Sequence, residues 1–199
     1  MTDPRADLAH PDLATRLAAL RTLHKTVTAT RRTGTNVHVH TNHSFSVFRS
    51  PSEAAWEARQ AGVEVIGVND FYTTGSYDEF AAACAIVGLP AALGLEAIAV
   101  DRVLAEARTL VNDPANPGKI YLCAKGVTRP ADAEAQAALA RLRGFQEARN
   151  KALVAKADER FRATVGAAGP SWADVVGLTP LGNTTERHVA KAILERVRA

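Results

Sequence analysis

Between Asn36 and Phe45 the chain reads NVHVHTNHSF, which places His38, His40 and His43 within six residues of a chain that holds six histidines in all. Two histidines at i and i+2 of a strand project to the same side. The imidazoles of His38 and His40 can therefore reach one divalent ion of borderline softness, such as zinc, manganese or iron. The bland alternative is a pair of strand histidines facing solvent. His43 lies past the strand and could add a ligand or a proton-transfer group. Asp70 and Glu96 strengthen the metal reading, because each falls at or near the end of an apolar strand. Taken alone, Asp70 reads as a turn former or helix cap and Glu96 as an ion-pair partner. Together with the histidines they make a mixed nitrogen and oxygen set suited to one or more divalent metals.

These side chains converge only if their elements do. Leu13, Leu17, Leu20 and Leu23 keep helical spacing, which predicts an N-terminal helix from residue 11 to about 31, ending before Gly34. TNVHVHT alternates with period two, Val37 and Val39 on one face and His38 and His40 on the other. Ser50 and Pro51 then open a helix that stops at Gly62. VEVIGVND is nearly continuously apolar, as a strand covered on both faces would be. GSYDEFAAACAIVGL is a further helix and PAALGLEAIAV a further strand. Strands alternating with helices predict parallel βα units, whose strand carboxyl ends are where ligands bind.

Beyond Val100 the texture changes. DRVLAEARTLV is predicted helical, NDPANPGK a loop, and KIYLCAKGV a short strand. From Pro130 to about Val165 the positions Leu139, Leu142, Phe145, Ala148, Ala152 and Ala155 keep helical spacing, and Phe145 is expected in the core with Trp56 and Trp172. SWADVVGL is a short helix capped by Ser171. GNTTERHVAKAILERVRA is a last helix, with Asn183 as its cap and Glu186 three residues on. Lys125 ends a strand and could hold an anionic substrate, although a solvated lysine is the more ordinary reading. The GNTTERH turn could seat a phosphate, although its capping pattern explains it better. Arg187 and His188 could approach the site, and Tyr72 and Tyr77 could shape its pocket.

The totals narrow the classes. With 47% hydrophobic and 23% charged residues, the 199-residue chain suits a globular protein of one domain or one domain with an insertion. A net charge of +3 with interleaved signs does not predict nucleic-acid binding. No apolar run reaches membrane-spanning length. Cys84 and Cys123 are far apart and in no motif, so no disulfide scaffold is expected and a cytoplasmic location is the default. No glycine-rich nucleotide loop, Cys-x-x-Cys pair or nucleophile elbow is present.

HVHTNHSF, GVEVIGVNDFYTTGSYDEF and GLPAALGLE together resemble, in order and spacing, the first three motifs of the polymerase and histidinol phosphatase (PHP) superfamily. The resemblance covers roughly residues 34 to 98. It implies a distorted (β/α)7 barrel, up to three divalent metals and hydrolysis of phosphate esters. By position it makes His38, His40, Asp70 and Glu96 metal ligands. The expected substrate is a small phosphorylated molecule, with His43 and Lys125 as candidate catalytic groups.

The sequence also departs from that pattern. Phe45 or Ser46 stands where an aspartate is usual. The Asp-His-Asp of the second motif reads Asp70-Phe71-Tyr72, and Tyr121 or Cys123 takes the place of a fourth-strand histidine. The final Asp-x-His is missing, and His188 falls in a predicted helix. A three-metal centre is therefore not expected. Four strands are counted against the seven of the family, which points to a diverged member that is also incomplete. The expected architecture is α/β, a partial or distorted (β/α)7 PHP-like barrel with a largely helical C-terminal region. Its parts are an N-terminal helical segment (1–33), the barrel portion (34–128) and a helical insertion or extension (129–199). Alternatives are a catalytically degenerate PHP-like scaffold for a protein partner, and an amidohydrolase-like barrel, which also uses a His-x-His strand.

Overall fold

The computed structural model describes residues 3–27, 33–179, 181 and 183–198. One four-stranded sheet has the order β1 (Thr35–Val39), β2 (Val65–Phe71), β3 (Ala91–Val100) and β4 (Lys119–Lys125). The first three strands run parallel, as the alternation with helices predicts. β4 returns antiparallel to β3 and sets Glu96 opposite Cys123. The reason lies in the link. A parallel return needs a substantial crossover, usually a helix. The predicted helix of residues 101–111 instead ends after one turn and a half, at Glu106, with Arg108 at a left-handed φ of 53°. The architecture is α/β with part of a barrel, and four strands rather than seven are present among the described residues.

Helices α1 (Pro4–Asp7), α2 (Leu13–His24), α3 (Pro51–Gln60) and α4 (Tyr77–Val87) pack on one face of the sheet. The predicted first helix is shorter than expected, and residues 28–31 of that expectation lie outside the described residues. Ser50 caps α3 by accepting the Glu53 N–H at 3.0 Å, with Pro51 in the first turn. Leu20, Trp56, Ile66, Val68, Phe80 and Val87 form the core beneath them. Along β2 the alternation is strict. Ile66 and Val68 enter this core and Asp70 shares their face, while Gly67, Asn69 and Phe71 face the other way.

After the short α5 (Arg102–Glu106) and β4, the long stretch is one helix, α6 (Ala133–Val165), followed by α7 (Trp172–Gly177) and α8 (Glu186–Arg198). A second small core joins Val154, Val175, Val189 and Ala192. The expectation of Phe145 in the core is corrected, since it is 74% exposed. α6 buries Leu139, Gln146, Asn150 and Val154 instead, because Asn150 donates to the Thr184 carbonyl at 3.2 Å and so turns a polar stripe inward. The predicted cap Asn183 is likewise corrected. Its amide donates to the carbonyls of His43 (3.1 Å) and Phe71, tying the last helix to the site loop. Thr185 precedes α8, and His188 Nδ1 accepts the Thr185 N–H at 3.0 Å, in the role that a glutamate or glutamine plays in a capping box.

Candidate metal centre

Three neighbouring strands bring the site together. His38 and His40 stand on and just past β1, Asn69 on β2 and Glu96 on β3, all on the face away from the helices. Glu96 Oε2 lies 3.0 Å from His38 Nε2 and 3.2 Å from His40 Nε2. Glu96 is 4% exposed, whereas the His38 side chain is half open to solvent. Burial pushes the Glu96 carboxyl up, but its hydrogen bonds to the two imidazoles and their charge outweigh this and hold it below its ordinary value. β4 adds Cys123, whose Sγ lies 3.9 Å from His38 Nδ1. One ligand atom from each of His38, Glu96 and Cys123 falls within 4.8 Å of the others.

The Asn69 amide nitrogen sits at the centre of the group, 3.3 Å from His38 Nε2 and 3.4 Å from both Glu96 Oε2 and Cys123 Sγ. Lys125 fixes this orientation. Its ammonium donates to Asn69 Oδ1 and to the Val37 carbonyl, each at 2.6 Å. Gly94 leaves the room, since a Cβ there would stand 3.0 Å from Asn69 Oδ1 and 2.7 Å from the Ala124 carbonyl.

The structure does not bring Asp70 to this group. Asp70 is fully buried on the helix face, where its carboxylate accepts four hydrogen bonds at 2.7 Å, from Thr41 N–H, Thr41 Oγ1, Ser44 Oγ and Ser76 Oγ. Period-two geometry puts Asn69, not Asp70, beside Glu96. His43 is also elsewhere. Its ring abuts Gly75, and burial lowers its pKa although the charges of Asp70 and Glu79 oppose this. Lys125 is present but underneath, bound to protein acceptors. Neither His43 nor Lys125 lines the cleft above the group.

That cleft, of about 570 Å³, has His38, His40 and Glu96 on its floor, Phe71, Tyr72, Ile98 and Tyr121 on one side, and Phe45 and Arg187 on the other. Phe71, at a position where the family resemblance would place a histidine, stacks on His40 at 5.0 Å between ring centres. Tyr72 has a left-handed φ of 54°, an unfavourable conformation for a bulky residue. It is held there by Arg143, which donates to its carbonyl at 2.7 Å, and by the Ile98 N–H, which donates to its hydroxyl at 3.0 Å. Tyr77, expected near the pocket, is buried in the helix-side core instead. Arg187 sits over the Phe45 ring at 5.7 Å, while His188 packs against the same ring at 5.1 Å, away from the cleft floor. Asn69 and Cys123 are the members of this group that the sequence reading did not name as site residues. Strand alternation from Ile66 and Tyr121 is the signal that points to them.

No protein-family model and no curated protein matches the chain. Among solved structures, it is similar to a candidate metal-dependent phosphoesterase from Bifidobacterium adolescentis, with a TM-score of 0.64 and 24% identity over 83% of this chain and 51% of that one. It is also similar to an amidohydrolase from Chromobacterium violaceum, solved with bound sulfate and no metal, with a TM-score of 0.62 and 19% identity over 83% and 51%. At these identities the likeness is one of fold. The chain spans about half the length of these two proteins. No helix among the described residues is long and apolar enough to cross a membrane.

Proposed function

We propose that the chain is a metal-dependent hydrolase of the PHP type acting on a small phosphate ester. The observation that carries this reading is the convergence of His38, His40 and Glu96 on one point at the floor of an open cleft. Two imidazoles and a carboxylate fit zinc, manganese or iron, and match donor sets that leave a position open for water or substrate. A divalent metal there would lower the pKa of a water and offset charge on a phosphoryl oxygen. The chain's own residues supply the rest. His38, His40 and Glu96 hold the ion, and the buried Asn69 amide keeps the His38 and Glu96 side chains in place. Phe71, Tyr72 and Ile98 limit water on one wall, and Arg187 offers a guanidinium to an anionic group from the other. The sulfate held by the Chromobacterium neighbour and the name of the Bifidobacterium one support a phosphate-sized anion as ligand.

The amidohydrolase reading rests on the name of the second neighbour. The scaffold reading rests on Phe71, which cannot bind metal and covers His40. One experiment separates these. Metal content is measured by elemental analysis on protein carrying no affinity tag, beside a His38→Ala/His40→Ala variant, and the loaded protein is screened against phosphomonoesters and amides. Stoichiometric metal that the variant loses, with phosphate release, is the expected result. Amide cleavage without phosphate release would move the assignment to an amidohydrolase. No metal in either protein after loading would overturn the hydrolase and leave the scaffold.

A further inference from the structure

We propose that Cys123 is a thiolate ligand of this centre, which makes it a mixed nitrogen, oxygen and sulfur site selective for zinc-like ions over manganese and magnesium. The inference rests on the metal-binding reading above and adds a ligand and a selectivity to it. It starts from the register. Glu96 and Cys123 are directly opposed partners across the antiparallel β3 and β4, so their side chains leave the sheet on one face. The turn back of β4, rather than a parallel crossover, is what puts a β4 side chain at this point. The Cys123 Sγ, one carboxylate oxygen of Glu96 and one ring nitrogen of His38 lie within 4.8 Å of one another. Around a tetrahedral ion with bonds of about 2.0 Å to nitrogen or oxygen and about 2.3 Å to sulfur, donor atoms stand roughly 3.3–3.8 Å apart. Closing from 4.8 Å by about 1.5 Å at most suffices, and the half-exposed His38 ring has room to move. Asn69 Nδ2 points at Cys123 Sγ from 3.4 Å, a hydrogen bond that a thiolate accepts more strongly than a thiol.

Softness sets the preference. Thiolate ligands favour zinc and related ions, while manganese and magnesium favour oxygen-rich sets. On binding, the sulfur forms a bond to the metal and the thiol proton leaves to solvent, with no change of oxidation state.

The chain contains one other cysteine, Cys84, which is fully buried in the helix-side core and whose thiol burial pushes up to about 12. Any thiolate signal therefore reports Cys123. The test is titration of metal-free, tag-free protein with cobalt(II), which substitutes for zinc and is visible. Wild-type protein is expected to show visible d–d bands together with a near-ultraviolet sulfur-to-cobalt charge-transfer band. In Cys123→Ser the charge-transfer band disappears while d–d bands remain, and competition with a chelator shows zinc affinity reduced by about tenfold or more. Stoichiometric zinc also protects the one exposed thiol of the native protein from a thiol reagent. Cobalt bands without charge transfer, or full thiol reactivity with zinc bound, would overturn the cysteine ligand and leave the His38, His40 and Glu96 centre standing. Absence of any cobalt binding in wild-type protein would overturn both.

Discussion

Asn69 and Asp70 are neighbours in sequence, both are buried, and they do opposite things. On the helix face the Asp70 carboxylate has four donors for its two oxygens, three of them hydroxyls on loops and a helix start. That network is complete, and it ties the β1 loop to β2 and to the entry of α4. The cleft face has no such closure. A single amide group, Asn69 Nδ2, is shared among three acceptors, His38, Glu96 and Cys123. The two imidazoles also hydrogen-bond to Glu96, while His38 and Cys123 stay open to solvent, so this face presents metal-capable ligand atoms that no closed network holds. The number of acidic residues does not distinguish the two faces, but the closure of the hydrogen-bond network around each carboxylate does.

The largest effect that separates them is on stability. Asp70→Ala strips the acceptor from four buried donors and is expected to lower the unfolding free energy by on the order of 3 kcal/mol or more. Asp70→Asn, which keeps one oxygen and can let hydroxyls rotate, should lie between it and the native protein. His38→Ala, at a half-exposed position, should cost the metal-free protein less than about 1 kcal/mol while abolishing metal uptake. Urea unfolding of metal-free proteins, with zinc affinity measured separately, gives both readings. An Asp70 variant of near-native stability that loses metal would erase the distinction and restore Asp70 as a ligand.

Much of this was legible in the sequence, and the failures have physical causes. Ser50, Ser171 and Gly62 marked helix ends correctly because capping is local chemistry. His38, His40 and Glu96 were legible because each sits on the strand face that the cleft opens to. Asp70 was misplaced because VEVIGVND is apolar on both faces, which hides the alternation that assigns Asn69 to the cleft. Only Gly67 and Asn69, small or polar beside the bulkier Ile66 and Val68, betray it. The antiparallel β4 was not legible, since strand direction depends on whether the 101–118 link completes a helix. Phe145 failed for the same kind of reason, because a long-range bond from Asn150 to Thr184 decides which stripe of α6 is buried.

A middle-sized effect tests how firmly the second helical layer closes the cleft. His188 is buried against Phe45, and burial, helped by the nearby charge of Lys191, pushes its imidazole down to about 4. Its pKa is thus lowered on folding from an ordinary 6.5. The unfolded chain then binds more protons between those values, so stability is full above about pH 6.5 and is lost as pH falls toward 4. The loss should be on the order of 2 kcal/mol. His188→Gln keeps an acceptor for the Thr185 N–H and should flatten that slope in urea unfolding measured from pH 7.5 to 4.5. An unchanged slope would mean that His188 is solvated and the wall beside Phe45 loose.

The smallest effect bears on Lys125, and it separates the substrate-holding role that the sequence offered from the contact that the structure shows. A lysine that holds substrate and a lysine that orients Asn69 are both cations at a strand end. They differ in what they touch. Lys125 Nζ is engaged by Asn69 Oδ1 and the Val37 carbonyl and lies off the cleft, so it acts through the amide. Lys125→Met removes the charge and nearly keeps the length. With its oxygen released, the Asn69 amide can turn that oxygen toward Glu96 and Cys123, replacing the donor they share with an acceptor. Metal affinity should then fall by about tenfold or less, the lower end of the range for residues that support ligands. Stability should fall by on the order of 1 kcal/mol, because the buried Asn69 oxygen loses its donor. Isothermal titration of the metal-free variant with zinc reads the affinity directly, and KM for a phosphomonoester at saturating metal reads the other role. A shifted zinc affinity with unchanged KM is the signature of positioning. A raised KM at native zinc affinity would show that the ammonium leaves Asn69 to meet the substrate, and the amide would then hold its orientation through the narrow space at Gly94 alone.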